Sequence, residues 1–113
     1  MKSVDLLIGK ILLIGITVVD EGGEVIEQFQ VYGPIVRVDS DGITIRRNKS
    51  GTDFVIPPDF NNIHDAQPGE YRLRSSGDVV VDPDFISSWT LNSGSIGKVV
   101  EYQKYGFRGY IKP

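Results

Sequence analysis

At 113 residues the chain is long enough for one domain of ordinary size and too short for two independent cores. Its 13 valines, 13 isoleucines, 4 threonines and 11 aromatics stand against one alanine, Ala66. With 13 glycines and 6 prolines as punctuation, this bias excludes a helical bundle, a coiled coil and a disordered polymer. The formal net charge of −3 divides into −6 over residues 1–97 and +3 over residues 98–113, so the body repels phosphate backbones and attracts cationic proteins.

The segment Ser3-Val-Asp-Leu-Leu-Ile8 can form one helical turn, capped by Ser3 and stopped by Gly9. From Ile11 to Val19 almost every residue is apolar, which predicts a strand covered on both faces and central to the core. Asp20-Glu-Gly-Gly23 predicts a hairpin loop, and the return strand runs from Glu24 to Tyr32 with Val25, Phe29 and Val31 on one face. Since Ile35 to Asp39 resumes the extended pattern straight after Gly33-Pro34, that interruption predicts a bulge or bend within one long strand. Ser40-Asp41-Gly42 then turns the chain into Ile43–Arg47, and Asn48-Lys-Ser-Gly51 turns it into Thr52–Ile56, a meander.

After a loop from Asn61 to Gly69 come a strand Glu70–Arg74, the turn Ser75–Asp78, the short strand Val79–Val81 and a segment Ile86–Leu91 containing Trp89. Asn92 to Gly97 reads as a flexible link to a basic, aromatic closing strand or hairpin, Lys98–Pro113, at a sheet edge. The expected fold is a single all-β domain, an antiparallel small β-barrel or a strongly bent sheet. Its core is drawn from Ile11, Leu13, Ile16, Val18, Phe29, Val31, Ile45, Phe54, Ile56, Leu73, Val80 and Trp89.

One internal echo stands out. Gly51-Thr-Asp-Phe-Val-Ile-Pro-Pro-Asp-Phe60 aligns without gaps on Ser76-Gly-Asp-Val-Val-Val-Asp-Pro-Asp-Phe85. Each copy follows an arginine-bearing strand, which predicts two hairpins leaving through Pro-Asp-Phe: proline ends the ladder, aspartate caps the next turn and phenylalanine returns to the core.

The chemical inventory is thin. There is no cysteine and one histidine, His64, so disulfides, thiolate sites and multi-histidine metal sites are excluded. The turn Asp39-Ser-Asp-Gly42 lacks the later ligands of an EF-hand, its fifth, sixth and twelfth positions being Ile43, Thr44 and Ser50. His64-Asp65 has no nucleophile to serve, because no Gly-x-Ser-x-Gly elbow is present. No catalytic, metal or cofactor residue is therefore nominated. The run Leu6–Val19 contains Lys10 and is too short for a membrane span, and no small-residue cleavage site follows it, so the expected setting is cytoplasmic.

Leu6-Leu-Ile-Gly-Lys-Ile-Leu-Leu-Ile14, then Tyr32-Gly-Pro-Ile-Val-Arg-Val-Asp39 and Ile43-Thr-Ile45, resemble the first motif of Sm-like proteins, with Gly33, Ile35 and Asp39 on the motif's Gly, Leu and Asp positions. The resemblance covers about residues 6–45 and implies a helical turn followed by an SH3-like small barrel. The base-holding asparagine of that family is absent, its loop being Ser40-Asp41-Gly42, and the only counterpart of its second motif is Phe107-Arg108-Gly109, far too late in the chain. RNA binding does not follow from the likeness.

Two functions are compatible with these residues. The favoured one is a non-enzymatic protein-binding module of adaptor or immunity type, its acidic surface (Asp39, Asp41, Asp59 and Asp84) receiving a basic protein. The alternative is single-stranded RNA or DNA binding through the C-terminal segment. There Tyr102, Tyr105, Phe107 and Tyr110 would stack bases, while Lys98, Lys104 and Arg108 would meet phosphates. Self-association through an edge strand is compatible with either.

Overall fold

The computed structural model describes residues 4–47, 49–74, 76–92 and 96–107. In chain order the elements are α1 (Val4–Leu7), β1 (Ile11–Val19), β2 (Val25–Asp39), β3 (Gly42–Arg46), β4 (Asp53–Ile56), a 3-10 turn (Phe60–Asn62), β5 (His64–Asp65), β6 (Glu70–Arg72), β7 (Val79–Val81), β8 (Phe85–Asn92) and α2 (Ile96–Tyr105). Six strands form one sheet in the order β4-β3-β2-β1-β8-β5, and β6 and β7 form a separate hairpin.

The apolar run of β1 takes the central place expected of it. Leu12, Ile14, Ile16 and Val18 point into the main core with Phe29, Val31, Ile35, Ile43, Ile45, Phe54 and Ile56. On the opposite face Leu13 joins Leu73 and Val80 in a second, smaller cluster, against which Ile11, Tyr32, Tyr71 and Ile86 pack. The β6–β7 hairpin therefore covers the back of the sheet, and this is why β1 needs apolar residues at both parities. Trp89 is only half buried: it packs on the main core, and its indole N–H donates to Ser87 Oγ at 2.8 Å.

The bend in β2 has two causes. The pairing with β3 shifts register between Ile35 and Arg37, a bulge. At Gly33, a Cβ would lie 2.0 Å from the Arg46 carbonyl oxygen, so only glycine lets the end of β3 pass over the strand. Both copies of the Pro-Asp-Phe echo do follow a hairpin, β3–β4 and β6–β7, and Phe60 and Phe85 are partly buried against the main core.

Two expectations are corrected. The sheet does not close into a barrel: β4 and β5 end it on opposite sides, and it is mixed, because β8 runs parallel to β1 with Ile14 opposite Ser87. A parallel neighbour needs a long crossover, which the stretch carrying β3 to β7 supplies. The closing strand expected from Lys98 is instead α2 over its first part. Ile96, Val99 and Val100 fall at i, i+3 and i+4, the helical period, and this outweighs the near-alternating aromatics that follow. Residues 108–113 lie outside the described residues, as do residues 93–95 of the expected link.

Candidate functional site

The four aspartates read as a binding surface occupy three separate turns, Asp39 and Asp41 sharing the one between β2 and β3, and three of them are engaged by backbone. Asp39 Oδ1 accepts from the Asp41 and Gly42 N–H groups at 2.9 and 3.2 Å, and its Oδ2 lies 3.3 Å from Arg37. Asp59 caps the 3-10 turn by accepting from Asn61 N–H at 3.1 Å. Asp84 accepts from Ile11 N–H at 2.9 Å and donates its own N–H to the Ile11 carbonyl at 3.0 Å, fixing the start of β8 beside β1. Asp41 is exposed. Short carboxylates terminate turns well, so their abundance here is largely local chemistry.

A different acidic feature lies at the outer end of the β1–β2 hairpin. From Ile11 to Val36 the chain contains no lysine or arginine, yet Asp20, Glu21, Glu24 and Glu27 all fall within it, and all but half-buried Asp20 are exposed. Asp20 closes the loop: its Oδ1 accepts from Gly22 and Glu24 N–H groups, each at 2.9 Å, and its carbonyl accepts from Gly23, whose φ of +85° suits glycine. Glu21, Glu24 and Glu27 are close to Val25 along the chain, and Val25 is itself 56 % exposed. Sequence reading passed over this end, although the cation-free stretch was its visible signal.

The first part of β2, at the same end, has a strand neighbour on one side only among the described residues. β3 pairs with β2 only from Ile35 to Asp39, so among the described residues Val25 to Gly33 has β1 as its one strand neighbour. Ile35 N–H donates to the Lys10 carbonyl at 2.9 Å, which puts the backbone groups of odd-numbered β2 residues toward β1 in the regular register. Between Glu27 and Pro34 the even-numbered residues face the other way; at the bulge opposite Val18 and Val19 this alternation breaks, and the Glu24 carbonyl accepts from Asp20 N–H at 2.9 Å. Gln28 N–H accordingly donates to the Glu27 carboxylate at 3.0 Å, and Pro34, with no N–H to offer, occupies one of these outward positions.

The cations gather elsewhere, around the β3–β4 turn. A groove of about 1110 Å³ runs between that turn and the end of α2, lined by Arg46, Arg47, Ser50, Thr52, Lys104 and Tyr105 among others. Arg47 fills a structural post there. Its guanidinium donates to the Gln103 carbonyl at 2.5 Å, to the Lys104 carbonyl and to Thr52 Oγ1 at 3.0 Å, and it lies 5.4 Å from the Phe54 ring centre. Burial lowers its pKa below the ordinary arginine value, and the helix carbonyls at the negative end of α2 hold the cation in place. Arg46 is paired with Asp53 at 3.0 Å and Lys49 with Asp78 at 2.5 Å. The second pair ties the β3–β4 turn to the β6–β7 hairpin. Its hydrogen bond and charge raise the Lys49 pKa and lower that of Asp78.

Of the C-terminal residues named for nucleic acid, Lys104 and Tyr105 are exposed on this groove, Tyr105 by 67 %. Tyr102 is half buried against Phe107, and Phe107 is buried in the core in a T-shaped contact with Trp89 at 5.2 Å, so it has no exposed face to stack a base. Lys98 lies within α2, and Arg108 and Tyr110 lie outside the described residues. His64 is exposed on β5 opposite Ile86, and among the described residues no group of three or more His, Cys, Asp or Glu is placed to hold a metal ion. No described helix is long and apolar enough to cross a membrane. Comparison with protein-family models, curated proteins and solved structures finds no match.

Proposed function

We propose that the chain is a non-enzymatic protein-binding module, of the adaptor or immunity type, whose acidic β1–β2 hairpin end receives a basic protein surface. The observation that carries this reading is the charge segregation: Glu21, Glu24 and Glu27 stand exposed close to Val25 along a stretch with no cation, while Arg46, Arg47 and Lys49 are each engaged at the β3–β4 turn. Like-signed groups close to an exposed apolar residue draw an oppositely charged partner and then offer it a contact that excludes water. In this reading Asp39, Asp59 and Asp84 support their turns, and Asp41 remains a contact candidate. The SH3-like, Sm-like description of the fold stays a proposal resting on α1, the bent β2 and Gly33, Ile35 and Asp39.

The test is affinity capture from the cells that make the protein, with the wild type and a Glu21→Lys/Glu24→Lys/Glu27→Lys variant immobilised side by side. A basic protein held by the wild type, released by salt and absent from the variant supports the reading. Equal capture by both would refute it. Single-stranded nucleic acid is the second reading, favoured by Lys104 and Tyr105 exposed together on the groove beside the β3–β4 turn. Oligonucleotide binding lost in Lys104→Glu and Tyr105→Ala, with the fold intact, would put it first.

A further inference from the structure

The groove beside the β3–β4 turn holds two cations that no carboxylate neutralises. Arg46 and Lys49 are each paired with an aspartate, Asp53 and Asp78, whereas Arg47 and Lys104 have no such partner among the described residues. The groups that hold Arg47 are the Gln103 and Lys104 carbonyls and the Thr52 hydroxyl, all neutral, so they fix the direction of its guanidinium without cancelling its charge. They use three of its five N–H groups and leave two for a ligand. On the same wall the Ser50 and Thr52 hydroxyls stand 2.7 Å apart; Thr52 Oγ1 accepts from Arg47, and Ser50 Oγ accepts from the Thr52 N–H at 3.3 Å. Whichever hydroxyl donates to the other, one O–H proton of the pair stays uncommitted. From the helix side Tyr105, 67 % exposed, reaches the groove as the last residue of α2, and left-handed Gly106 stops the helix directly after it.

We infer that this groove binds a mononucleotide, its phosphate taken by Arg47, Lys104 and the Ser50–Thr52 hydroxyl pair and its base stacked on Tyr105. The site is apart from the acidic hairpin end, so it goes beyond the protein-binding reading and does not depend on it. A fixed guanidinium, an ammonium and a hydroxyl proton are all donors, which matches the acceptor-only oxygens of a phosphate. Asp53, the one carboxylate lining the groove among the described residues, is turned to Arg46 at 3.0 Å. At about 1110 Å³ the groove exceeds the ~300–1,000 Å³ of ordinary small-ligand clefts, so phosphate, sugar and base fit together. A single strand asks for more than is present: a track of cations and a succession of stacking rings. Here the neighbouring cations Arg46 and Lys49 are already paired, and Tyr105 is the one aromatic residue lining the groove among those described. The groove provides for one phosphate and one base.

The experiment titrates the 15N-labelled full chain with AMP, GMP, CMP and UMP, with the nucleoside of whichever binds tightest, with inorganic phosphate, and with an oligonucleotide of that same base. The expected result is saturable binding of a mononucleotide that shifts the amide signals of Arg47, Ser50, Thr52, Lys104 and Tyr105. Nucleoside and inorganic phosphate should each bind about tenfold or more weaker, since each keeps only part of the contacts. Lys104→Glu should weaken the nucleotide about tenfold or more, and Tyr105→Ala should weaken it to the level of inorganic phosphate. Both residues are exposed, and circular dichroism matching the wild type verifies that each variant keeps its fold. Inorganic phosphate bound as tightly as the nucleotide would show a plain anion site and overturn the proposal. An oligonucleotide held more tightly than its number of nucleotides explains would give the groove to a single strand and overturn it too. Absence of binding by all four mononucleotides, or binding that neither variant changes, would likewise refute it.

Discussion

Gly106→Ala should be among the most damaging single-methyl additions to this molecule. Gly106 follows α2 with φ of +84°, its N–H donates to the Tyr102 carbonyl at 2.9 Å, and a Cβ there would lie 2.0 Å from the Val55 carbonyl oxygen and 2.6 Å from its nitrogen. The left-handed backbone alone costs an alanine about 1–2 kcal/mol. The clash with backbone cannot be relieved by a rotamer, so the segment must lift away from β4. That breaks the Phe107 N–H to Val55 carbonyl bond of 2.9 Å and draws the buried Phe107 ring from Trp89 and Tyr102. Partial loss of a buried phenylalanine adds about 2–3 kcal/mol, for a total of about 3–5 kcal/mol. The control is Gly51→Ala, where φ is +68° but nothing lies within 4 Å of the new methyl, and only the conformational cost of about 1–2 kcal/mol applies. Urea unfolding followed by Trp89 fluorescence measures both. Equal destabilisation of the two variants would refute the close-approach argument and with it the docking of α2 on β4.

Arg47→Ala should loosen α2 by about 2–3 kcal/mol, and Arg47→Lys should recover little, because one ammonium cannot reach two helix carbonyls and Thr52 together; helical circular dichroism against temperature checks this. Asp84→Ala should cost about 1–2 kcal/mol by orphaning the Ile11 N–H, whereas Asp41→Ala, at an exposed turn tip, should stay within about 0.5 kcal/mol in the same denaturant assay. The Lys49–Asp78 bridge should give a pH-dependent contribution. With Asp78 lowered in the fold, its share is full above the ordinary carboxylate range and is lost as pH falls through the folded value. With Lys49 raised, its share is full below the ordinary lysine value and is lost as pH rises through the folded one. Asp78→Asn should remove the bridge's part of both limbs in stability measured against pH, and unchanged limbs would count against the bridge.

Much of the fold can be read from local chemistry. The unbroken apolar run of β1 announces a strand with two covered faces, and Gly33-Pro34 followed at once by another extended stretch announces the bend. What cannot be read locally is which strand takes the second edge of β1. β8 reaches it through a long crossover, and its parallel direction depends on the placing of everything between. The helix was concealed by its own aromatics, because Tyr102, Tyr105 and Phe107 suggest alternation while the decisive spacing lies earlier, at Ile96, Val99 and Val100. The candidate site was hidden differently. Asp39, Asp59 and Asp84 look like surface charge in the sequence but work as turn caps. Glu21, Glu24 and Glu27 become notable only once they are seen exposed at the hairpin end, apart from the cations of the β3–β4 turn.

The central claim is that the end of the β1–β2 hairpin is where a basic protein binds. Its most direct test is calorimetric titration of the purified captured partner into the wild type and into Glu24→Lys/Glu27→Lys, at low and at high salt. The account predicts affinity weaker by about tenfold or more in the variant, a salt dependence present only in the wild type, and unchanged melting of both proteins. Unchanged affinity in that variant, together with loss of binding in Lys104→Glu, would contradict it and move the binding surface to the groove beside the β3–β4 turn.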